Sequence, residues 1–246
     1  MDRLIHTAFT GLSSSMNRQR VIASNMANSQ TIGFRADMIA MTPVTLDGPG
    51  LEVRTMSDTE VRGANMKAGS VTQTGRPLDL AMEGDVMLTV QARDGTEAYT
   101  RRGDLAIAAS GLLVNGEGAP VVGESGPITV PSGSKVIISP DGQVLLQDPA
   151  IPDAPPTRLD RLKLASPAGT RIEKGLDGLF RVFGGGVLPN DEEGTVLPGA
   201  LEQSNVNSSE VLTEMIEAQR LFDIRTKLVA TAKEIDEGGA ALMRMT

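Results

Sequence analysis

Apolar residues recur every three or four positions at both ends of the chain and give way to short runs between them. From Asp2 to about Asn28, Ile5, Phe9, Leu12, Met16, Ala23 and Met26 step by fours and threes, with Gln19 in the one gap. That spacing predicts a helix with a heptad seam, ~35–40 Å long at ~1.5 Å per residue. Arg3, Ser13, Asn17, Arg18, Arg20 and Ser24 fall on its polar side. Asn25, Asn28 and Gly33 are residues that tolerate left-handed backbone, so the helix should end there in a turn. A second helix is predicted from about Ser208 to Arg244, with Ser208 or Ser209 as its cap and Glu210 in its first turn. Val211, Met215, Ala218 and Phe222 make one stripe on it, and Leu221, Ile224, Leu228, Thr231, Ile235 and Leu242 make a neighbouring one. Gly238-Gly239 should break or fray its end.

The middle has a different pattern. Runs such as Val86-Met87-Leu88-Thr89-Val90, Val136-Ile137-Ile138 and Val144-Leu145-Leu146 are separated by turn dipeptides, including Asp94-Gly95, Asn115-Gly116 and Asp141-Gly142. This predicts antiparallel strands joined by tight turns. The expected fold class is therefore α+β: terminal coiled-coil helices flanking a mainly antiparallel β domain. The expected divisions are an N-terminal helix over 1–30, an extended arm over 31–69, a β domain over 70–185, a return connector over 186–207 and a C-terminal helix over 208–246. Asp148 to Pro156 holds four prolines and should be a loop.

Composition removes several function classes. The net charge is −8 with no basic cluster, which argues against nucleic acid and against an anionic membrane surface. Aromatic residues are only 2%, with no Trp and the single Tyr99, so stacking platforms for bases or sugars are missing. With no Cys and only His6, Cys-ligated zinc, thiol catalysis and sites with two histidines are excluded. His6 sits beside the seam and reads as an interface residue. Paired carboxylates can always be drawn in a chain with 31 acidic residues; Asp79, Glu83 and Asp85 are close in sequence, as a carboxylate hydrolase would need, and their plainer reading is charged strand and turn positions. Gly184-Gly185-Gly186 lacks the Lys-Ser/Thr of a phosphate loop and reads as a connector. No cofactor, metal or catalytic residue is assigned. No run reaches the ~18–20 apolar residues of a membrane span, and the first residues lack the pattern of a cleaved secretory signal.

Val21-Ile22-Ala23-Ser24-Asn25-Met26-Ala27-Asn28, followed by Thr31 and Gly33-Phe34, resembles the N-terminal signature of the bacterial flagellar rod and hook proteins. That signature reads Ala-Asn-Asn-Leu-Ala-Asn, then Thr, then Gly-Phe; here Ser24 replaces the first Asn and Met26 the Leu. Gly199-Ala200-Leu201-Glu202-Gln203-Ser204-Asn205-Val206 is similar to the family's C-terminal Gly-x-Leu-Glu-x-Ser-Asn-Val segment. Between them, Gln73 to Leu80, Glu83-Gly84-Asp85, Tyr99 to Gly103, Pro127 to Pro131 and Ser139 to Gly142 follow the family's order. Met1 to Ala8 and Gly33 to Ala36 look most like its proximal-rod members, with distal-rod members next. The resemblance implies helices lining a hollow tube, an arm and an outer β domain. It implies partners: further copies of the chain, other proximal-rod subunits, the distal-rod protein and the flagellar type III export apparatus. It also implies a place in the basal body, in the periplasmic space. The seam residues, with Asn25, Asn28, Gly33 and Phe34 at the turn, are then the expected assembly interface.

Overall fold

The computed structural model describes residues 2–45, 55–148 and 155–244. The chain divides into two compact units. One is Met1–Ala27 with Asp37–Gly63 and Val206–Thr246; the other is Asn28–Ala36 with Ala64–Asn205. Most of the Asp148 to Pro156 loop lies outside the described residues, as do the side chains of Ile5, His6 and Leu242.

The first unit holds α1 (Asp2–Ala27), a two-stranded sheet of β1 (Asp37–Thr45) and β2 (Thr55–Ala64), and α2 (Ser208–Arg244). The cap of α2 is Asn207, not Ser208 or Ser209. Its Oδ1 accepts from the backbone N–H of Ser209 at 3.1 Å and of Glu210 at 3.4 Å. Asn207 is the last residue before the first helical turn, where a side-chain oxygen reaches the free N–H groups. Nor does Gly238-Gly239 break α2, which runs on to Arg244. Each glycine costs a helix only ~1 kcal/mol, and the good helix formers Ala240, Ala241, Leu242 and Met243 follow.

The two helices pair within the chain and run antiparallel. Ile22 packs with Val211 and Ala218, while Arg225 donates to the carbonyl of Gly11 and to Ser15 Oγ. The pairing face of α2 is the stripe Val211, Met215, Ala218, Phe222, continued by Ala232; Val211, Ala218 and Ala232 are buried. Among the described side chains of α1 the buried positions are Ser14, Ser15, Val21, Ile22 and Asn25. This interface is small-sided and partly polar.

The second unit is antiparallel β. Its strands are β3 (Val71–Gln73), β4 (Leu80–Met82), β5 (Met87–Gln91), β6 (Glu97–Thr100), β7 (Leu105–Ile107), β8 (Leu113–Asn115), β9 (Val122–Gly123), β10 (Gly126–Pro127), β11 (Lys135–Ile138), β12 (Gln143–Gln147), β13 (Thr157–Arg161), β14 (Leu164–Ala165), β15 (Ile172–Lys174), β16 (Phe180–Val182), β17 (Val196–Pro198) and β18 (Ala200–Glu202). The largest sheet has the order β14-β5-β6-β16-β15, and a second has β11-β12-β13. β17 pairs with β4 and β18 with β3, so the stretch expected as a return connector carries strands of this unit.

Strand alternation explains the core. Leu88, Val90 and Ala98 enter one cluster with Leu80, Leu105, Leu113 and Val121. Met87 and Tyr99, on the opposite face of the same strands, enter another with Ala165, Phe180 and Leu188. The five-stranded sheet is thus buried on both faces at its centre, which fits a continuous apolar run such as Val86 to Val90. The one tyrosine is satisfied: its hydroxyl oxygen accepts from Leu188 N–H at 2.6 Å.

Candidate assembly faces and the motif junction

Two apolar lines remain uncovered on the helical unit. On α1, Phe9, Met16 and Ala23 are exposed, with Ser13, Arg20 and Ala27 completing steps of three and four. Leu12 and Met26 are half-buried. On α2, Ile224, Leu228 and Ile235 are exposed, and Leu221 is half-buried. Leu212 and Ile216 lie upstream on the same line and are also exposed. Sequence reading missed both, although repeated steps of four from Leu228 back through Ile224 lead to them. The two stripes read on α2 therefore have different settings: the first packs on α1 of the same chain, and the second is open.

Asn25 fixes the end of α1 to the start of β1. Its Nδ2 donates to the carbonyl of Asp37 at 3.1 Å, and its Oδ1 accepts from Asp37 N–H at 2.8 Å. The side-chain amide thus exchanges two bonds with one backbone residue, as a neighbouring strand would. Asn25 is buried. Asn25→Ala should therefore cost ~1–3 kcal/mol by leaving both backbone groups unpaired. Chemical denaturation followed in the helical region of circular dichroism measures it, and Asn25→Asp should not restore the donor half.

The other motif residues meet in the β unit around Glu202, which is 1% exposed. Its Oε1 lies 2.5 Å from Arg35 Nη1 and accepts from Gly69 N–H at 2.8 Å. Its Oε2 takes Arg101 Nε at 2.8 Å and Nη2 at 2.6 Å. Its backbone carbonyl accepts from Gly33 N–H at 2.8 Å. Both arginines are 2% exposed. Arg101 also donates to the carbonyls of Met82, Gly84 and Val86, and Arg35 to that of Lys67. Burial draws Arg35 below the usual guanidinium range, opposed by the Glu202 charge; the arginine stays charged all the same.

Around this ion cluster the motif backbone is locked. Asn205 Oδ1 accepts from Ala36 N–H at 2.8 Å, while its Nδ2 donates to the carbonyls of Asn65 at 2.7 Å and Lys67 at 2.8 Å. Thr31 Oγ1 donates to Asn28 Oδ1 at 3.1 Å. The Lys174 ammonium sits 3.5 Å from the Phe34 ring centroid and donates to the Arg35 carbonyl at 2.9 Å. The resemblance motifs Thr31 to Arg35, Tyr99 to Gly103 and Gly199 to Asn205 are thus parts of one buried junction.

The suggested carboxylate group does not converge. Asp79 is buried and accepts from Thr74 Oγ1 at 2.7 Å. Glu83 and Asp85 are exposed, and Glu83 accepts from Thr195 Oγ1 at 2.7 Å. Among the described residues no helix is long and apolar enough to cross a membrane.

Comparison with known proteins places the chain in a family. Residues 81–146 match the model of the flagellar hook protein FlgE/F/G D1 domain, and residues 197–242 match that of the flagellar basal body rod FlgEFG protein C-terminal region. The chain is 39% identical to the flagellar basal-body rod protein FlgF of Salmonella typhimurium over the full length of both. It is 38% identical to FlgF of Escherichia coli K12 over 95% of each chain. The chain belongs to the FlgF family of flagellar basal-body rod proteins. FlgG of Bacillus subtilis, a rod protein of the neighbouring kind, is 29% identical over 96% of this chain and 97% of its own length.

FlgF membership gives the α2 faces a context. The matched C-terminal region runs from Leu197 to Leu242, so it contains β18, Glu202, Asn205 and nearly all of α2. The FlgE/F/G D1 match begins at Ala81 and spans Arg101 and the carbonyls that it binds. Arg35, Asn25 and the α1 stripe lie upstream of both matches.

Proposed function

We propose that the chain is a structural subunit of the proximal flagellar rod, polymerising helically into the shaft that transmits torque for swimming. The observation that carries this reading is the pair of open apolar lines on α1 and α2, which one chain leaves in water. Different faces on the two helices suit a head-to-tail contact, which builds an open filament when its rotation does not close. The partners are copies of the chain, other proximal-rod subunits and the distal-rod protein. The subunit reaches the periplasmic space through the type III export apparatus.

The test is Ile224→Asp, with Leu12→Asp as a second variant. Ile224 is 56% exposed, so the charge costs the lone chain little, but it would be buried unpaired in an interface. The β signal and thermal midpoint of the purified variant should match the native chain, while its recovery in isolated basal bodies and the swimming of cells that carry it should be lost. Normal swimming with Ile224→Asp would sink the assignment of this face.

A further inference from the structure

We infer that Met16 is a modification site, at which two-electron oxidation of the thioether by a peroxide prevents the α1 face from docking. This rests on the reading of that face as an assembly surface. The chain contains no Cys and no Trp, and its one Tyr is buried, so methionine is the group through which a peroxide acts. The twelve methionines are not equivalent. Met82 and Met87 are 3% and 0% exposed in the β core, and Met26 and Met215 pack against the small cluster between the helices. Among the described side chains, the exposed methionines are Met16 at 52% and Met38 at 53%, and both belong to the helical unit.

Met16 stands in the middle of the open α1 line, between Phe9 and Ala23 and one turn from Arg20. In the reaction, a sulfur lone pair takes one peroxide oxygen and the O–O bond breaks. The thioether is oxidised to a sulfoxide, and the peroxide is reduced, leaving as water. An apolar, adaptable side chain becomes a strong hydrogen-bond acceptor. Exposed to water it is satisfied, so the lone subunit stays folded. Pressed against an apolar neighbour it is not satisfied, so docking weakens. Once docked, Met16 is covered, which confines the reaction to subunits that have not yet assembled. Methionine sulfoxide reductases reverse it.

Two measurements test this. In the first, the purified full-length chain is titrated with hydrogen peroxide and its peptides are weighed. Met16 sulfoxide should form at least roughly tenfold faster than sulfoxide at Met82 and Met87; equal rates would overturn the inference. In the second, cells whose own copy has been replaced carry the native chain, M16L or M16Q. New incorporation into basal bodies is measured with and without peroxide, each strain against its own untreated level. Peroxide should lower native incorporation by about tenfold and leave M16L at its own level, and M16Q should be deficient without peroxide. An equal fall in M16L, or native incorporation of M16Q, overturns the proposal. Untreated I224D separates the two layers. If it incorporates normally, the assembly reading itself fails; if it fails while M16Q incorporates, only the oxidation site is wrong.

Discussion

Replacing Glu202 by Gln should lower the unfolding free energy by about 3–5 kcal/mol, the usual cost of removing one partner from a buried ion cluster. Gln keeps the size and one acceptor oxygen, so the change isolates the charge. Two guanidinium groups at 2% exposure would then face each other without their shared anion. A guanidinium stays charged in proteins, so relief must come from water entry or unfolding. Urea titration followed in the β region of circular dichroism measures the loss. The arginines should rank as well. Arg101→Met should cost more than Arg35→Met, because Arg101 serves three backbone carbonyls in addition to Glu202 and Arg35 serves one. A Glu202→Gln chain as stable as the native one would mean that the cluster contributes nothing beyond packing.

The second large effect is Gly33→Ala. Gly33 has φ +67°, a conformation in which a non-glycine residue costs about 1–2 kcal/mol. A Cβ there would lie 2.4 Å from the carbonyl carbon and oxygen of Arg101 and 2.5 Å from Arg102 N. These are backbone atoms, which cannot swing aside as a flexible side chain would. Overpacking adds about 1–3 kcal/mol, for a total on the order of 2–5 kcal/mol. Gly75 provides the comparison: its φ is +72°, but nothing lies within 4 Å of its missing Cβ. Gly75→Ala should therefore show the conformational part alone. Equal thermal midpoints for the two variants would refute the close approach at Gly33.

The helices were legible because helical periodicity is written locally. Steps of three and four placed α1 and α2 to within about a residue or two, and the Asp94-Gly95 and Asp141-Gly142 turns fall between paired strands as predicted. Which stripe faces which partner was not legible. Beside Ile22, the α1 face that packs on α2 uses Gly11 and Ser15, and a polarity pattern does not mark small or polar residues as an interface. The short strands β17 and β18 were also missed, since each has three residues and their pairing comes from distant segments.

The junction was half visible. Its residues sit in motifs singled out by resemblance, but nothing local marks Glu202 as buried except its place after Ala200-Leu201 in a strand whose three residues are all covered. Its partners Arg35 and Arg101 lie far away along the chain, and charge pairing across such distances leaves no periodic trace. The β domain expected over 70–185 also needs 28–36 and the strands that end at Glu202.

The bond from Ala36 N–H to Asn205 Oδ1 closes a separation of 169 residues. Loop closure of that length carries an entropy cost that must be met before the contact rewards it, and such non-local pairing slows folding. A chain made N-terminus first would hold Arg35 without its counter-charge until Glu202 emerged, about two-thirds of the sequence later. The step that completes the β unit is therefore also a check on length: a chain that ends before Glu202 lacks the anion that Arg35 and Arg101 share.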